Sequence, residues 1–317
     1  MKKKWKRKII RRKKKLKRNF LNNFLTKKFK LLVFFIILYL CFNIFLFKFP
    51  NKQPSLSDVL NDEFSGLIHR YEYLLNNKKN VSDDCPIWVM WYQGIENAPP
   101  IVKVCIKSIM INAAKHPAII INKNNLNKYL KLPSYIMEKF NKKLITIAHL
   151  SDIIRMGLLS KHGGYWIDST YFITTPLISV NYPIFTLKTS ECYAKNTIHD
   201  CRWAMNFIAV PKKSFIAIYI YKALLQYWKK YNTLVDYLLI DCLMYSAYNK
   251  VERFKYLIEN HPYILCNIFM LNVFLDRDYN KELIKCNFNK LSFKWKFTDD
   301  SRKTIYRYLI DEYKLTI

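Results

Sequence analysis

The chain has 317 residues, of which 51% are hydrophobic and 16% aromatic, and its formal net charge is +30 at pH 7. This length and composition exclude an intrinsically disordered chain and provide for a sizeable core in one large domain or two small ones. The excess of basic residues suits an anionic partner: a membrane surface, a phosphate-bearing substrate or a nucleic acid.

The N-terminal residues carry much of this charge. Residues 1–30 form a polybasic arm with 16 Lys and Arg residues and no acid, which leaves a net charge of +14 on the rest of the chain. An apolar run then extends from Leu31 to Phe47, interrupted only by Asn43. As a helix it would span roughly 25 Å, at the short end of a membrane crossing. Because no small-residue cleavage site follows it, we expect an uncleaved anchor rather than a signal peptide.

The charge asymmetry around residues 31–47 predicts a single-pass protein with its arm in the cytosol and the rest of the chain across the membrane. In the alternative, this segment lies in the membrane interface and the protein is peripheral on the cytosolic face. Residues 48–84 are expected to form a linker, with prolines near its start, and a short helical stem over 58–80. The folded domain is therefore expected to cover residues 85–317.

The eight cysteines are scattered and none forms a CxxC pair, which argues against a zinc site and against a dense disulfide framework. They are Cys41, Cys85, Cys105, Cys192, Cys201, Cys242, Cys266 and Cys286. We interpret them mostly as reduced core residues. Their even number leaves disulfides open if the body lies outside the cytosol, and only then does the sequon Asn80-Val81-Ser82 become a glycosylation site.

Short apolar segments alternate with helical patterns after residue 85. Strands are predicted over 86–92, 116–122 and 165–170, and helices over 99–114, 132–140 and 149–164. Residues 214–249 have a mainly helical pattern. This alternation predicts an α/β fold with a mostly parallel sheet flanked by helices. In such sheets ligands bind beyond the carboxyl ends of the strands, where Asp168 is expected to lie.

The helix at 149–164 places Asp152 and Arg155 three residues apart, so their side chains can meet. Met156 and Leu159 share that side of the helix, which indicates that it is partly covered. A carboxylate and a guanidinium on a covered face are expected to pair with each other or to contact a polar ligand. The pattern does not choose between a structural ion pair and a ligand-facing pair.

Two consecutive glycines, Gly163 and Gly164, follow this helix. The first is suited to the left-handed stop of a helix, and the second allows a close approach of backbone to another group. Asp168 then ends the strand beside two hydroxyls. A carboxylate at that position suits a hard cation or a sugar hydroxyl, although a lone Asp can also be a turn residue.

Three stretches in order, "WVMWYQGIENAPPIVKVCIKSI", "NKNNLNKYLKLPSYIMEKF" and "AHLSDIIRMGLLSKHGGYWIDSTYFITTPL", resemble the capsular polysaccharide synthesis glycosyltransferases. These are related to the sugar-transferring glycosyltransferases that carry a DXD motif. The resemblance covers about residues 85–180 and continues more loosely over 203–211 and 235–248. The combined SDxxR, GG and WxD pattern with its spacing is specific, whereas the individual pieces are not.

The resemblance implies a GT-A, Rossmann-type fold, a nucleotide-sugar donor, a divalent metal (Mn²⁺ or Mg²⁺) and hexosyl transfer onto a glycan, such as a capsular or other surface polysaccharide or a glycoconjugate. It also implies roles for individual residues, with Asp168 and Arg155 as the catalytic pair. The implied donor-binding residues are Trp91, Gln93, Asp152, Arg155, Gly163 and Gly164, and the implied metal ligands are Asp168 and Thr170. The broader relatives have a second Asp where this chain has Thr170, and a neutral hydroxyl is the weaker ligand.

Other residues are weaker candidates. Asn206, Asp236 and Asp241 are candidates for the acceptor side. Lys290 and Lys294 could reach a diphosphate, although their alternation with aromatic residues is also typical of a half-exposed strand. We interpret His149 and His162 as packing or surface histidines.

A second function class stays open at this point: a catalytically inactive, membrane-tethered basic protein that binds anionic polymers. A nucleic-acid partner is not expected, because no nucleic-acid-binding motif occurs and the strongest charge adjoins a hydrophobic segment, as is typical of lipid headgroup binding. Which side of the membrane the catalytic domain faces also stays open.

Overall fold

The computed structural model describes residues 56–77, 79–177, 182–188, 197–262, 266–294 and 302–314. The predicted arm (1–30), the predicted anchor (31–47) and the following linker up to residue 55 lie outside the described residues. Within these ranges, no helix has both the length and the apolar character needed to span a bilayer. The anchor therefore stays a prediction.

The described residues form α-helices and two β-sheets. The helices are α1 (Leu56–Tyr71), α2 (Pro100–Ile111), α3 (Leu126–Tyr129), α4 (Ser134–Asn141), α5 (Ile147–His162), α6 (Phe215–Lys230), α7 (Leu239–Lys250), α8 (Glu252–Glu259), α9 (Met270–Phe274) and α10 (Ile305–Glu312). The strands are β1 (Ile87–Met90), β2 (Ala118–Ile121), β3 (Gly164–Ile167), β4 (Tyr171–Ile173), β5 (Phe185–Thr186), β6 (Phe207–Val210) and β7 (Phe288–Lys290). Short 3₁₀ segments lie at Glu72–Asn76, Ile95–Asn97 and Lys281–Leu283.

The alternating pattern predicted for residues 86–170 is confirmed, with element ends that shift by a few residues. The main sheet has the strand order β2-β1-β3-β6-β5. Strand β1 is parallel to both β2 and β3, whereas β6 is antiparallel to β3 and to β5. The central part of the sheet is thus parallel, as expected, and β6 makes it a mixed sheet. Strands β4 and β7 form a separate antiparallel pair.

Both faces of the main sheet are buried, which explains why its strands are apolar at every position except Thr186 in β5. Successive side chains of a strand point to opposite faces. In β1, Trp88 and Met90 belong to a core shared with α5, α6 and α7, whereas Ile87 and Val89 belong to a second core shared with α2, β4 and α10.

The predicted stem is part of the folded body. In α1, Phe64 and Ile68 are fully buried and belong to the same core as α6 and α7. The described body therefore begins at residue 56 and not at residue 85. The sequence missed this because a short amphipathic helix after a linker has the same local pattern whether or not it docks.

The interpretation of the cysteines as mostly reduced needs correction. Cys266 and Cys286 form a disulfide, and Cys201 is also disulfide-bonded. Among the described residues, Cys85, Cys105 and Cys242 are free and buried. Disulfides persist mainly in oxidising compartments, so this pairing bears on where the body lies.

Candidate active site

The carboxyl ends of the parallel strands β1 and β3 meet at one edge of the main sheet. Trp91 directly follows β1, and Asp168 directly follows β3. The Asp168 amide donates to the Asn206 carbonyl at 3.0 Å, and the Asp168 carbonyl accepts from the Tyr171 amide at 3.0 Å. These bonds fix a tight turn from β3 into β4, so the Asp168 side chain stands at the edge where α/β proteins bind ligands.

Both carboxylate oxygens of Asp168 have partners. Oδ1 accepts from Trp166 Nε1 at 2.8 Å and from Arg155 Nη2 at 3.3 Å. Oδ2 accepts from Lys290 Nζ at 2.7 Å. The Asp168 side chain is 26% exposed, so a ligand at the sheet edge can still reach it.

Helix α5 supplies Arg155 and Asp152. The helix begins at Ile147, directly after the N-cap Thr146, whose hydroxyl accepts from the His149 amide. Arg155 Nη1 lies 3.1 Å from Asp152 Oδ1, which confirms the predicted pair at three-residue spacing. The guanidinium also lies over the Trp166 ring at 5.1 Å from its centroid.

The guanidinium of Arg155 bridges two carboxylates and is itself only 7% exposed. The resemblance placed this residue on the donor sugar and phosphates. In the structure it is buried and contacts two carboxylates, an arrangement suited to positioning Asp152 and Asp168, and its contact with the donor stays a prediction. Its Nε is buried without a hydrogen-bond partner among the described residues.

Lys290 reaches the site from far along the chain. It ends β7, where it pairs with Tyr171 of β4. Its ammonium lies 5.1 Å from the Tyr171 ring centroid, and its side chain is 17% exposed. The sequence offered Lys290 only as a weak candidate, because basic and aromatic residues alternate in many half-exposed strands. Lys294, the other lysine considered there, is exposed.

The two carboxyl groups beside Arg155 differ in their protonation. Burial raises the pKa of Asp168, but the nearby Lys290 and Arg155 cations and the hydrogen bonds from Lys290 and Trp166 outweigh it and hold the pKa below its ordinary value. Burial raises the pKa of Asp152 to about 7, since the opposing effect of Arg155 is smaller and the charges of Asp241 and Asp168 add to the shift. Asp168 is therefore the anion of the site at neutral pH, and Asp152 titrates near neutrality.

The two residues predicted in the nucleotide pocket follow β1. Trp91 packs edge-on against Phe293 at a centroid distance of 5.6 Å, and its Nε1 is buried without a hydrogen-bond partner among the described residues. Gln93 is exposed two residues further on. Phe293 comes from the same segment as Lys290. That segment therefore contacts both Trp91, which follows β1, and Asp168, which follows β3.

The double glycine lies at the opposite end of β3. Gly163 and Gly164 have φ values of +70° and +97°. A Cβ on Gly163 would lie 2.4 Å from the Lys212 amide nitrogen, and one on Gly164 would lie 2.1 Å from the Pro86 carbonyl oxygen. Gly164 and Gly163 precede Asp168 by four and five positions, so at about 3.3 Å per residue they lie about 13 and 17 Å from it along the strand. Both glycines therefore allow close backbone packing, which only a residue without Cβ permits, and their donor-binding role stays a prediction.

The three candidates for the acceptor side make different contacts in the structure. The carbonyl of Asn206 holds the Asp168 amide, and its side-chain oxygen accepts from Tyr171 Oη at 2.7 Å. Asp241 is buried and accepts from Trp203 Nε1 at 3.0 Å. Asp236 is exposed, and its Oδ1 accepts from the Leu238 amide two residues on, so its contact is a local turn just before α7.

The predicted metal ligands fit a divalent cation poorly. The oxygens of Asp168 are both engaged by cations, and Thr170 supplies no charge and is only 9% exposed. Across the described ranges, no three His, Cys, Asp or Glu side chains come together as a metal site. Mg²⁺ is usually bound through one or two carboxylates together with substrate phosphates, and the one carboxylate offered here already contacts two cations.

The two histidines near α5 have packing roles. His149 is buried, its Nδ1 lies 2.7 Å from the Thr146 hydroxyl, and burial lowers its pKa. His162 Nε2 lies 2.9 Å from the Tyr129 carbonyl, and its ring packs on Trp88. Both positions agree with their interpretation from the sequence.

Comparisons with known proteins bear on the family. A comparison with curated proteins gives no significant match. Among solved structures, the chain is similar to the PaToxG glycosyltransferase, at 14% identity and a TM-score of 0.40, over 64% of this chain and 82% of that one. At this identity and TM-score, the similarity does not support any conclusion about this chain. The family model described as capsular polysaccharide synthesis protein matches residues 38–309. Since this match covers most of the chain, the protein belongs to the capsular polysaccharide synthesis family.

Proposed function

We propose that this protein is a glycosyltransferase that moves a sugar, of hexosyl type, from a nucleotide-sugar donor onto a glycan. The family assignment supports a role in polysaccharide synthesis. The observation that carries the proposal is the position of Asp168, an ionised carboxylate between Arg155 and Lys290 at the carboxyl edge of the parallel strands.

The charges at this edge suit a nucleotide sugar. A carboxylate held by hydrogen bonds can accept from sugar hydroxyls, and a partly exposed ammonium can face phosphate. Trp91 offers an aromatic surface beside them, with an indole N–H that has no partner among the described residues. Arg155 and Trp166 donate hydrogen bonds to Oδ1 of Asp168, so the position of this carboxylate is set before the donor binds.

In the transfer itself, the bond between the anomeric carbon and the diphosphate oxygen breaks, and its electron pair stays on that oxygen. The acceptor hydroxyl oxygen forms the new bond to the anomeric carbon and releases its proton to solvent. Fixed positive charge beside the leaving diphosphate stabilises the negative charge that develops there. In this proposal Asp168 orients the donor sugar, and Arg155 keeps Asp168 in place.

We also propose that residues 31–47 anchor the chain, with the arm in the cytosol and the body across the membrane. The disulfide between Cys266 and Cys286 and the disulfide bonding of Cys201 support an oxidising surrounding for the body. A peripheral protein on the cytosolic face would expose these cysteines to reducing conditions. A eukaryotic secretory lumen would supply both nucleotide sugars and oxidising conditions.

The test is a donor panel. Full-length protein, purified in detergent, is incubated with UDP-, GDP- and CMP-sugars, and release of the nucleotide is measured with and without polysaccharide acceptors. Turnover of one donor class, lost in Asp168→Asn, supports the proposal. Binding of anionic polymers without turnover of any donor would favour the inactive, membrane-tethered binding protein instead.

A further inference from the structure

We propose that the Lys290 ammonium takes the place of the divalent cation at the donor diphosphate, so that donor binding and transfer are independent of metal. This inference rests on the proposed glycosyltransferase function and adds to it how the diphosphate is held. It starts from the disagreement between the expected metal ligands and the contacts that these residues make.

The first observation is the occupation of Asp168. A carboxylate that binds Mn²⁺ or Mg²⁺ must present an oxygen to the metal, at about 2.0–2.2 Å for Mg²⁺-like geometry. Here Oδ2 is held by Lys290 at 2.7 Å, and Oδ1 by Trp166 and Arg155 at 2.8 and 3.3 Å. A dication would have to displace Lys290 and then sit beside a guanidinium that is buried and fixed. Coulomb repulsion in this partly buried region opposes that arrangement.

The second observation is the shortage of other metal ligands. Thr170, where a second carboxylate would complete the pair, is neutral and nearly buried. The carboxylate of Asp152 is bonded to Nη1 of Arg155, whereas that of Asp168 is bonded to Nη2 of the same guanidinium. Within the described part of the chain, Asp168 is therefore not part of a group of three or more potential metal-ligating side chains.

The third observation is how Lys290 is held. The antiparallel pairing of β4 and β7 sets Lys290 opposite Tyr171, and its ammonium packs on that ring at 5.1 Å. An ammonium has three N–H donors, and the Asp168 carboxylate uses one of them. The remaining donors can bond phosphate oxygens at the 17%-exposed end of the side chain. Lysine is a usual phosphate-binding residue that acts as a point charge.

Together these contacts give one partly exposed cation that is positioned before the donor arrives. In the transfer step, this ammonium faces the diphosphate oxygen that receives the electron pair of the broken bond. Its role is charge stabilisation, so no proton transfer to or from it is needed. Asp168 orients Lys290 as well as the donor sugar, so the two residues act as one unit.

The experiment compares metal and lysine directly in the full-length protein in detergent. Affinity for UDP and GDP is measured by calorimetry in EDTA and in Mn²⁺, and donor turnover is measured under the same conditions. The variants are Lys290→Met, Lys290→Arg and, as a matched control, Lys222→Met, which removes an exposed lysine on α6. Melting temperatures identify any variant that fails to fold. If Lys290→Met unfolds, the nucleotide affinity and donor turnover of Lys290→Arg still test the inference.

We expect wild-type affinity and turnover to change less than about twofold between EDTA and Mn²⁺. Lys290→Met should lower turnover by on the order of 10²-fold and weaken diphosphate binding much more than uridine or guanosine binding. Lys290→Arg should retain part of both, and Lys222→Met should match the wild type.

Two outcomes overturn the inference in distinguishable ways. Turnover that requires Mn²⁺, is abolished by EDTA and survives in Lys290→Met would remove Lys290 from this role and leave the glycosyltransferase proposal standing. If no nucleotide binds and no donor turns over with or without Mn²⁺, the proposed function fails and the inference fails with it.

Discussion

The ammonium of Lys290 lies 2.7 Å from the carboxylate of Asp168, although 122 residues separate them in the chain. The contact joins the small β4–β7 sheet to the carboxyl edge of the main sheet. It brings a cation from the C-terminal part of the protein to the end of β3, where the sequence predicted the site. The consequences of this arrangement can be tested one residue at a time.

Asp168→Asn keeps the size of the side chain but removes its charge. We expect donor turnover to fall by on the order of 10²-fold, because the sugar and the Lys290 ammonium lose their anionic partner. Stability should also fall, by about 1–3 kcal/mol, since two cations lose a hydrogen bond to a charged group. Nucleotide release and melting temperature measure the two effects, with the exposed Asp83→Asn as control. Wild-type turnover in Asp168→Asn would exclude the residue from the reaction.

Arg155→Lys keeps the charge but loses the planar fork. A lysine cannot bridge Asp152 and Asp168, which the guanidinium contacts at 3.1 and 3.3 Å. We expect kcat to fall by at least about tenfold while KM for the donor changes little, as is typical when positioning and not ground-state binding is lost. The same substitution at Arg302, which forms an exposed ion pair with Asp276, should leave both constants unchanged. Equal kcat in Arg155→Lys and the wild type would contradict the positioning role.

Gly164→Ala tests the packing role of the double glycine. At φ +97° and with its Cβ 2.1 Å from the Pro86 carbonyl oxygen, the alanine should destabilise the protein by more than about 2 kcal/mol. Gly66→Ala is the matched control. Apart from its chain neighbours and the helix's own backbone, no atom lies within 4 Å of a Cβ there, and the position is helical, so the protein should gain about 0.5–1 kcal/mol. Urea unfolding measures both, and a Gly164→Ala protein as stable as the wild type would show that the backbone can shift.

Asp152 should make stability depend on pH between about 4 and 7. Its pKa rises from 3.8 to about 7 in the folded protein, so in this window the folded state holds a proton that the unfolded state has lost. Raising the pH through the window therefore removes stability. Asp168 acts oppositely and at lower pH, because its pKa is lowered and its contribution is lost only on acidification.

Asp152→Asn should remove the first effect. We expect the stability of this variant relative to the wild type to increase from pH 4 to pH 7 and to stay constant above pH 8. Denaturant unfolding at several pH values measures it. A difference between variant and wild type that does not change with pH would mean that Asp152 titrates near its ordinary value.

The proposed topology places the exposed Asn80 on the oxidising side of the membrane, where its sequon can be glycosylated. In eukaryotic cells, the full-length protein should resist carbonate extraction and show an endoglycosidase-sensitive mass that Asn80→Gln lacks. Full-length protein found wholly in the soluble fraction would reject the anchor. A membrane-bound protein with an unmodified Asn80 and reduced cysteines would place the body in the cytosol.

The sequence determined the local parts of this site. The three-residue spacing of Asp152 and Arg155 on one helix sets their contact, because the geometry of a helix turn is the same in any fold. The strand that ends at Asp168 follows in the same way from a short apolar run after two glycines. The family pattern lies in this stretch as well, since the residues that form it are close together in the chain.

The tertiary structure alone decided the rest. The Lys290–Asp168 contact, the Cys266–Cys286 disulfide and the docking of α1 each join distant segments or a segment to a core. It also placed the guanidinium of Arg155 between Asp152 and Asp168. A local pattern specifies helix or strand over a few residues, whereas these contacts depend on how the whole chain returns to one sheet edge, which no short stretch encodes.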